Sequence, residues 1–143
     1  MTVNSLTKCV LMAALAHPDD ESFGAGGTLA LYAQRGVQVH LICATRGEAG
    51  QVSAECLQGF DSVADLRVSE LRCAAGILGL AGVHFLDYRD SGMAGSSDNQ
   101  HPQALSAAPV EESGCTILSC PDWDGYDCQC IPSDGSRSTA HVP

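Results

Sequence analysis

The chain has 143 residues, enough for one domain around a single modest core. Seven Lys and Arg against seventeen Asp and Glu give a formal charge of −10, with one lysine in the whole sequence. Phosphate backbones and anionic membrane surfaces are bound through basic patches, so nucleic acid and membrane are excluded as expected partners.

The first element is a strand. Cys9 to Ala16 is a run of eight apolar residues, the length of a buried strand, and Pro18 stops it from continuing. Directly behind it comes Ala16-His17-Pro18-Asp19-Asp20-Glu21, which packs an imidazole and three carboxylates into five residues. In an open α/β sheet, ligands bind at the C-terminal ends of strands, and a divalent cation is the natural counter-charge to such a cluster. His17 offers a nitrogen and Asp20 an oxygen, both suited to Zn²⁺ at about 2.0–2.2 Å. Asp19 lies between them and is left to accept a proton from water. A plainer reading places the three acids in a helix's first turn, against its dipole. That reading accounts for the carboxylates but not for His-Pro ahead of them.

The same N-terminal stretch imitates a secretory signal, with Lys8, an apolar run and the small residues Ala14-Leu15-Ala16. One basic residue makes a thin leading region, and cleavage there would remove the first strand. A cytoplasmic location is therefore expected. No segment approaches the roughly 18 apolar residues of a membrane span.

Ser22 to Arg35 has helical character, with Phe23, Leu29, Leu31 and Tyr32 as its apolar face and Gly36 as its stop. Gly24-Ala25-Gly26-Gly27 opens this helix after a strand, as a dinucleotide-binding loop does. The third glycine of that pattern would fall on Leu29, so the glycines are read as allowing close packing on the sheet. Val37 to Ala44 is a second strand, and Thr45 to Gly50 a polar loop at its C-terminal end. Asp61 to Leu80 carries the period of a second helix, with Val63, Leu66, Leu71, Ala74, Ala75 and Leu78 as core candidates. Val83 to Leu86 is a third strand, followed by the loop Asp87 to Gly95. Strand–helix–strand–helix–strand predicts a parallel sheet whose three loops converge on one mouth. Taken singly, Glu48 reads as a solvated loop residue, Arg67 as a partner for Asp61 or Glu70, and Asp90 as a turn cap.

These segments together resemble a family. His-Pro-Asp-Asp-Glu after a first strand is similar to the signature of the LmbE/PIG-L zinc-dependent N-deacetylases. The likeness continues through Ser22 to Thr28, Thr45-Arg46-Gly47-Glu48-Ala49-Gly50, Arg67 to Arg72 and Tyr88 to Gly95, covering about residues 9–112. The resemblance implies a Rossmann-like α/β fold, a parallel sheet with flanking helices. It implies removal of an acetyl group from an N-acetylglucosamine-containing small molecule, a glucosaminyl-inositol or similar glycoside. By resemblance His17 and Asp20 would be zinc ligands and Asp19 the general base, while Glu48, Arg67 and Asp90 would contact sugar hydroxyls.

After Glu112 the sequence departs from that pattern, which divides it into a deacetylase-like part, 1–112, and a tail, 113–143. Family members continue with further strands and a second His-Pro-Asp-His motif carrying the third zinc ligand. The tail instead is rich in Ser, Gly, Pro, Asp and Cys and reads as irregular, so the sheet is expected to be incomplete on its C-terminal side. Without its later strands the first strand becomes an unpaired apolar edge, open to pairing between copies as a homo-oligomer. Thr116 to Cys120 has the only strand character left to cover it. His40, His84, His101 and His141 are poorly placed to complete the metal site. Cys9, Cys43, Cys56 and Cys73 read as small buried hydrophobes, and Cys115, Cys120, Cys128 and Cys130 lack a standard zinc spacing. The alternative to an active deacetylase is thus an inactive deacetylase-like fragment that binds metal weakly or not at all.

Overall fold

The computed structural model describes residues 9–118. Three strands, β1 (Val10–Leu15), β2 (Gln38–Cys43) and β3 (Gly82–Phe85), form one parallel sheet in the order β1-β2-β3. Val10 stands opposite Gln38 and Leu15 opposite Cys43; His40 stands opposite Gly82 and Cys43 opposite Phe85. The middle strand reads as an almost unbroken apolar run because both its faces are covered: Val39, Leu41, Ile42 and Cys43 are all buried. No residue of β1 is fully buried, and among the described residues no strand pairs with its outer edge.

The connections are helical, as parallel pairing demands. A π-wound turn, Glu21–Ala25, leads into α1 (Gly26–Gln34), which ends before Gly36 at a φ of +83°. α2 (Val63–Leu78) begins at Ser62, whose hydroxyl accepts the Asp65 N–H at 3.1 Å. It stops at Gly79 with a φ of +75°, and the Leu80 N–H folds back onto the Ala75 carbonyl. Leu41, Cys43 and Leu71 form the centre of the core, with Ala13, Leu15, Leu80, Val83 and Phe85 packed around them.

The boundaries of strands and helices follow the sequence expectations, but several inward residues do not. In α1 only Gly26 and Leu29 are buried; Phe23 is 90% exposed, and Leu31 and Tyr32 also face out. Leu31 lies two residues, and so about half a turn, beyond Leu29, and the π-wound turn rotates Phe23 away from the helical register. The glycines of this segment do not pack on the sheet. A Cβ on Gly26 would meet Leu78 of α2 at 3.7 Å, while Gly24 and Gly27 have nothing within 4 Å. In α2 the buried residues are Leu66, Val68, Leu71 and Ala75; Val63, Ala74 and Leu78 are only half-buried. Of the cysteines expected inside, Cys43 is buried but Cys9, Cys56 and Cys73 are exposed. Cys73 sits two residues past Leu71, on the outward side of α2, and Cys56 lies in a loop, taking a hydrogen bond from the Ser53 hydroxyl.

Cys43 is held as a neutral thiol. Burial, opposed by a backbone hydrogen bond at Thr45 and reinforced by the carboxylates of Glu21, Asp20 and Asp19, pushes its pKa up to about 12. Thiolate is the alkylating form, so iodoacetamide at pH 8 is expected to label Cys9, Cys56 and Cys73 and to spare Cys43 in the folded protein. Peptide mass spectrometry reads the difference, and labelling of Cys43 at the same rate as Cys73 would contradict it.

The first compact unit ends at Ala108, and a second begins at Pro109. The described part of the second is α3 (Val110–Leu118), with Pro109 ahead of it and Glu111 and Glu112 in its first turn. The stretch expected to be irregular from residue 113 therefore starts as helix, and Thr116 to Leu118, expected as a strand, are helical. A short run of β-branched and apolar residues fits either state, and the helix-start signals upstream decide it. Ser119, Cys120, Cys128, Cys130 and His141 lie outside the described residues.

Candidate active site

The C-terminal ends of the three strands are tied together by backbone. Ala44 and Thr45 donate to the Leu15 and Ala16 carbonyls at 2.8 and 3.0 Å, and Tyr88 donates to the Ala44 carbonyl at 3.0 Å. The fully buried Thr45 adds its hydroxyl, which donates to the Ala16 carbonyl and accepts the Gly47 N–H. Loops 16–21, 45–50 and 87–95 therefore leave one edge of the sheet side by side.

Asp90 is where they meet. Its buried carboxylate accepts from the Ala49 N–H at 3.3 Å and from the Gly92 N–H at 2.9 Å. Its own N–H donates to Glu48 Oε1 at 3.0 Å. The second oxygen of Glu48 is buried and has no partner, an acceptor left open beside Asp90. Asp90 Oδ1 also stands 3.3 Å from His17 Nε2. This fixes the orientation of the imidazole, because a proton on Nε2 leaves the Nδ1 lone pair directed at the other side of the ring.

On that other side is Asp20. Its Oδ2 accepts the His17 backbone N–H at 3.0 Å and lies 3.8 Å from His17 Nδ1. Two ligands each about 2.0–2.2 Å from one zinc can span that gap. The donor types and their spacing fit two positions of a zinc site, with Asp90 behind the imidazole in the manner of a carboxylate–histidine–metal triad. Among the described residues no group of three His, Cys, Asp or Glu side chains forms around a common point.

Asp19 occupies a backbone conformation that favours glycine, with a φ of +111°. Its carboxylate is gripped by Arg67, whose terminal nitrogen donates to Asp19 Oδ2 at 2.6 Å and to the Pro18 carbonyl at 2.5 Å. Arg67 thus reaches across from α2 to the His17–Glu21 loop instead of pairing with Asp61 or Glu70 on its own helix. Two glycines make room for it: a Cβ on Gly47 would meet Arg67 Nε at 3.1 Å, and one on Gly50 would meet Arg67 Nη1 at 2.9 Å. Gly50→Ala is accordingly expected to push the guanidinium off Asp19 and to lower stability by about 1–3 kcal/mol, the usual cost of overpacking. Chemical denaturation measures it, and an unchanged midpoint would show that Arg67 has room to spare.

The other described histidines stand apart from this edge. His40 Nδ1 and His84 Nε2 face each other at 3.2 Å, with ring centres 5.5 Å apart, where a Cβ on Gly82 would meet both nitrogens. His101 Nδ1 accepts the Gln103 N–H within its own turn. Sequence reasoning missed the contact from Arg67 to Asp19, which joins residues far apart in the chain, and the buried position of Glu21 behind the motif.

A parallel sheet flanked by helices, with an imidazole–carboxylate cluster at the C-terminal ends of its strands, defines the class: an open α/β protein whose polar cluster lies on the edge where such folds bind ligands. The chain belongs to the PIG-L family, whose pattern, described as GlcNAc-PI de-N-acetylase, matches residues 12–129 and so runs past Glu112. A 1D-myo-inositol 2-acetamido-2-deoxy-alpha-D-glucopyranoside deacetylase of Actinosynnema mirum is 40% identical over 118 residues, covering 76% of this chain and 42% of that protein. A deacetylase of the same description, numbered 2, from Catenulispora acidiphila is 43% identical over 116 residues, covering 75% of this chain and 38% of that one. Among solved structures, the N,N'-diacetylchitobiose deacetylase from Pyrococcus horikoshii is similar, with a TM-score of 0.50 and 33% identity over 59% of this chain and 30% of that chain. The chain spans about two-fifths of the length of the curated relatives it matches.

Proposed function

We propose that this chain carries the metal-binding and base-bearing part of a zinc-dependent deacetylase acting on an N-acetylglucosaminyl glycoside, of which glucosaminyl-inositol is the first candidate. The observation that carries the reading is the Asp90–His17–Asp20 line beside a separate, Arg-held Asp19, in a chain whose relatives are named as deacetylases of such a glycoside. His17 and Asp20 would hold the zinc. Bound there, zinc supplies Lewis-acid polarisation of the acetyl carbonyl and lowers the pKa of water.

The side chains do the rest. Asp19 accepts the proton of the attacking water and afterwards returns one to the departing amine. Arg67 keeps the Asp19 carboxylate in place. By the family resemblance Glu48 and Asp90 would contact sugar hydroxyls, and Arg67 borders the same mouth with a rigid fork of donors.

The test is amine release from an N-acetylglucosaminyl-inositol by the purified chain with one equivalent of zinc. Primary amine should accumulate above the no-protein rate, and the protein should keep about one zinc per chain through dialysis. No amine release from a folded, zinc-containing chain would overturn the reading. A second reading, a deacetylase-like chain that binds zinc weakly and turns nothing over, is favoured by the two-ligand donor set among the described residues. It predicts near-zero zinc after dialysis.

A further inference from the structure

Of the carboxylates in the His17–Glu21 loop, Glu21 is the one buried to 2% exposure. It sits at the start of the π-wound turn, and no role described above uses it. Burying a carboxylate is costly unless its oxygens are hydrogen-bonded, and both are engaged. Glu21 Oε1 accepts from the Ser22 hydroxyl at 2.6 Å, and Glu21 Oε2 accepts from the Asp19 backbone N–H at 2.9 Å.

Asp19 is the residue with the most unusual backbone in this loop. A φ of +111° at a residue with a side chain costs on the order of 1–3 kcal/mol and persists only where the surroundings over-determine it. Each of its polar groups is held from a different direction. The carbonyl accepts the Ser22 and Phe23 N–H groups at 2.9 and 3.1 Å. The carboxylate is held by Arg67. The N–H is held by Glu21 alone of the side chains that contact it.

We propose that Glu21 is the positioning residue for Asp19: its buried carboxylate holds the Asp19 N–H, keeps that backbone in the left-handed region and thereby fixes where the Asp19 carboxylate stands. Arg67 sets the far end of the side chain and Glu21 the near end. The inference deepens the proposed role of Asp19 and rests on that reading only for its effect on catalysis; the structural coupling stands by itself.

Three variants test it. Glu21→Gln keeps the size and an accepting oxygen while removing the charge. Glu21→Met keeps the approximate size and removes both acceptors. Asp19→Gly removes the cost of the left-handed conformation. Native-state hydrogen exchange at the Asp19 amide is the first readout. Exchange at Asp19 is expected about tenfold faster in Glu21→Met, the loss of one hydrogen bond, and within threefold of wild type in Glu21→Gln, after normalising to Leu41, whose core amide reports the change in global stability. Thermal melting is the second readout. Glu21→Met should cost less when Asp19 is already Gly, because no strained conformation is left to hold.

If the wild-type chain releases amine, Glu21→Met should lower kcat with little change in KM, and Glu21→Gln should restore it. Equal exchange at Asp19 in wild type and Glu21→Met, or strict additivity with Asp19→Gly, overturns the proposal. A Glu21→Gln variant that behaves like Glu21→Met also overturns it, since charge and not placement would then be the contribution. An inactive wild type sinks the deacetylase reading and leaves the exchange and melting results to decide this one.

Discussion

Asp19→Asn is expected to lower amide hydrolysis by about 10²–10⁴-fold while leaving the fold in place. The substitution separates basicity from geometry. Asn is among the residues that tolerate a positive φ, so the backbone at +111° is kept. Its side-chain oxygen can still accept from Arg67, so the grip on the Pro18–Asp19 corner survives. What is lost is a group that can take a proton at neutral pH. Amine release under saturating substrate, together with an unchanged melting temperature, is the measurement. Activity within threefold of wild type would remove Asp19 from the mechanism and return the motif to a structural turn.

His17→Ala is the second large effect, and it concerns the metal. The imidazole is the link between Asp90 on one side and Asp20 on the other, at 3.3 and 3.8 Å. If His17 holds zinc as proposed, removing it deletes a ligand and leaves Asp90 with nothing to orient, so zinc affinity is expected to fall by more than about 100-fold. Competition against a chromophoric chelator gives the number. Asp90→Asn keeps the ligand and weakens only its support, which typically costs about 10–100-fold. The order of the two losses is diagnostic: zinc binding by His17→Ala at wild-type strength would mean that the ion, if any, sits elsewhere.

The parts of this architecture that could be read in advance are those written in local sequence. Strand β2 is apolar from Val39 to Ile42 except for His40, and Ser62 and Gly79 bracket α2 with cap chemistry that needs no tertiary information. The convergence of Asp20, Glu48 and Asp90 on one edge follows from their all lying just past strand ends. What stayed hidden depends on registry in space. Nothing near Arg67 in sequence says that it will reach Pro18 and Asp19 in preference to Glu70, because the choice is made by how α2 lies against the sheet and by the hollow at Gly47 and Gly50. Phe23 was misjudged because a π-wound turn breaks the 3.6-residue period on which the expectation rested. Glu21 reads in sequence as one more acid of the motif's helix-start turn, and its burial shows only once α1 and the loop before it are in place.

The strand order β1-β2-β3 has a consequence for how the molecule is made. Each ladder joins strands that are consecutive in the chain, and each partner arrives after a single helical crossover. No ladder among the described residues waits for a distant segment, so the contact order of this sheet is low for a parallel one, and its search is correspondingly short. During synthesis β1 can pair as soon as β2 has left the ribosome, and β3, the last described strand, joins when Phe85 emerges. The three loops that carry His17, Glu48 and Asp90 would then be gathered while the residues beyond Ala108 are still inside the ribosome, so this edge of the sheet is assembled early and vectorially.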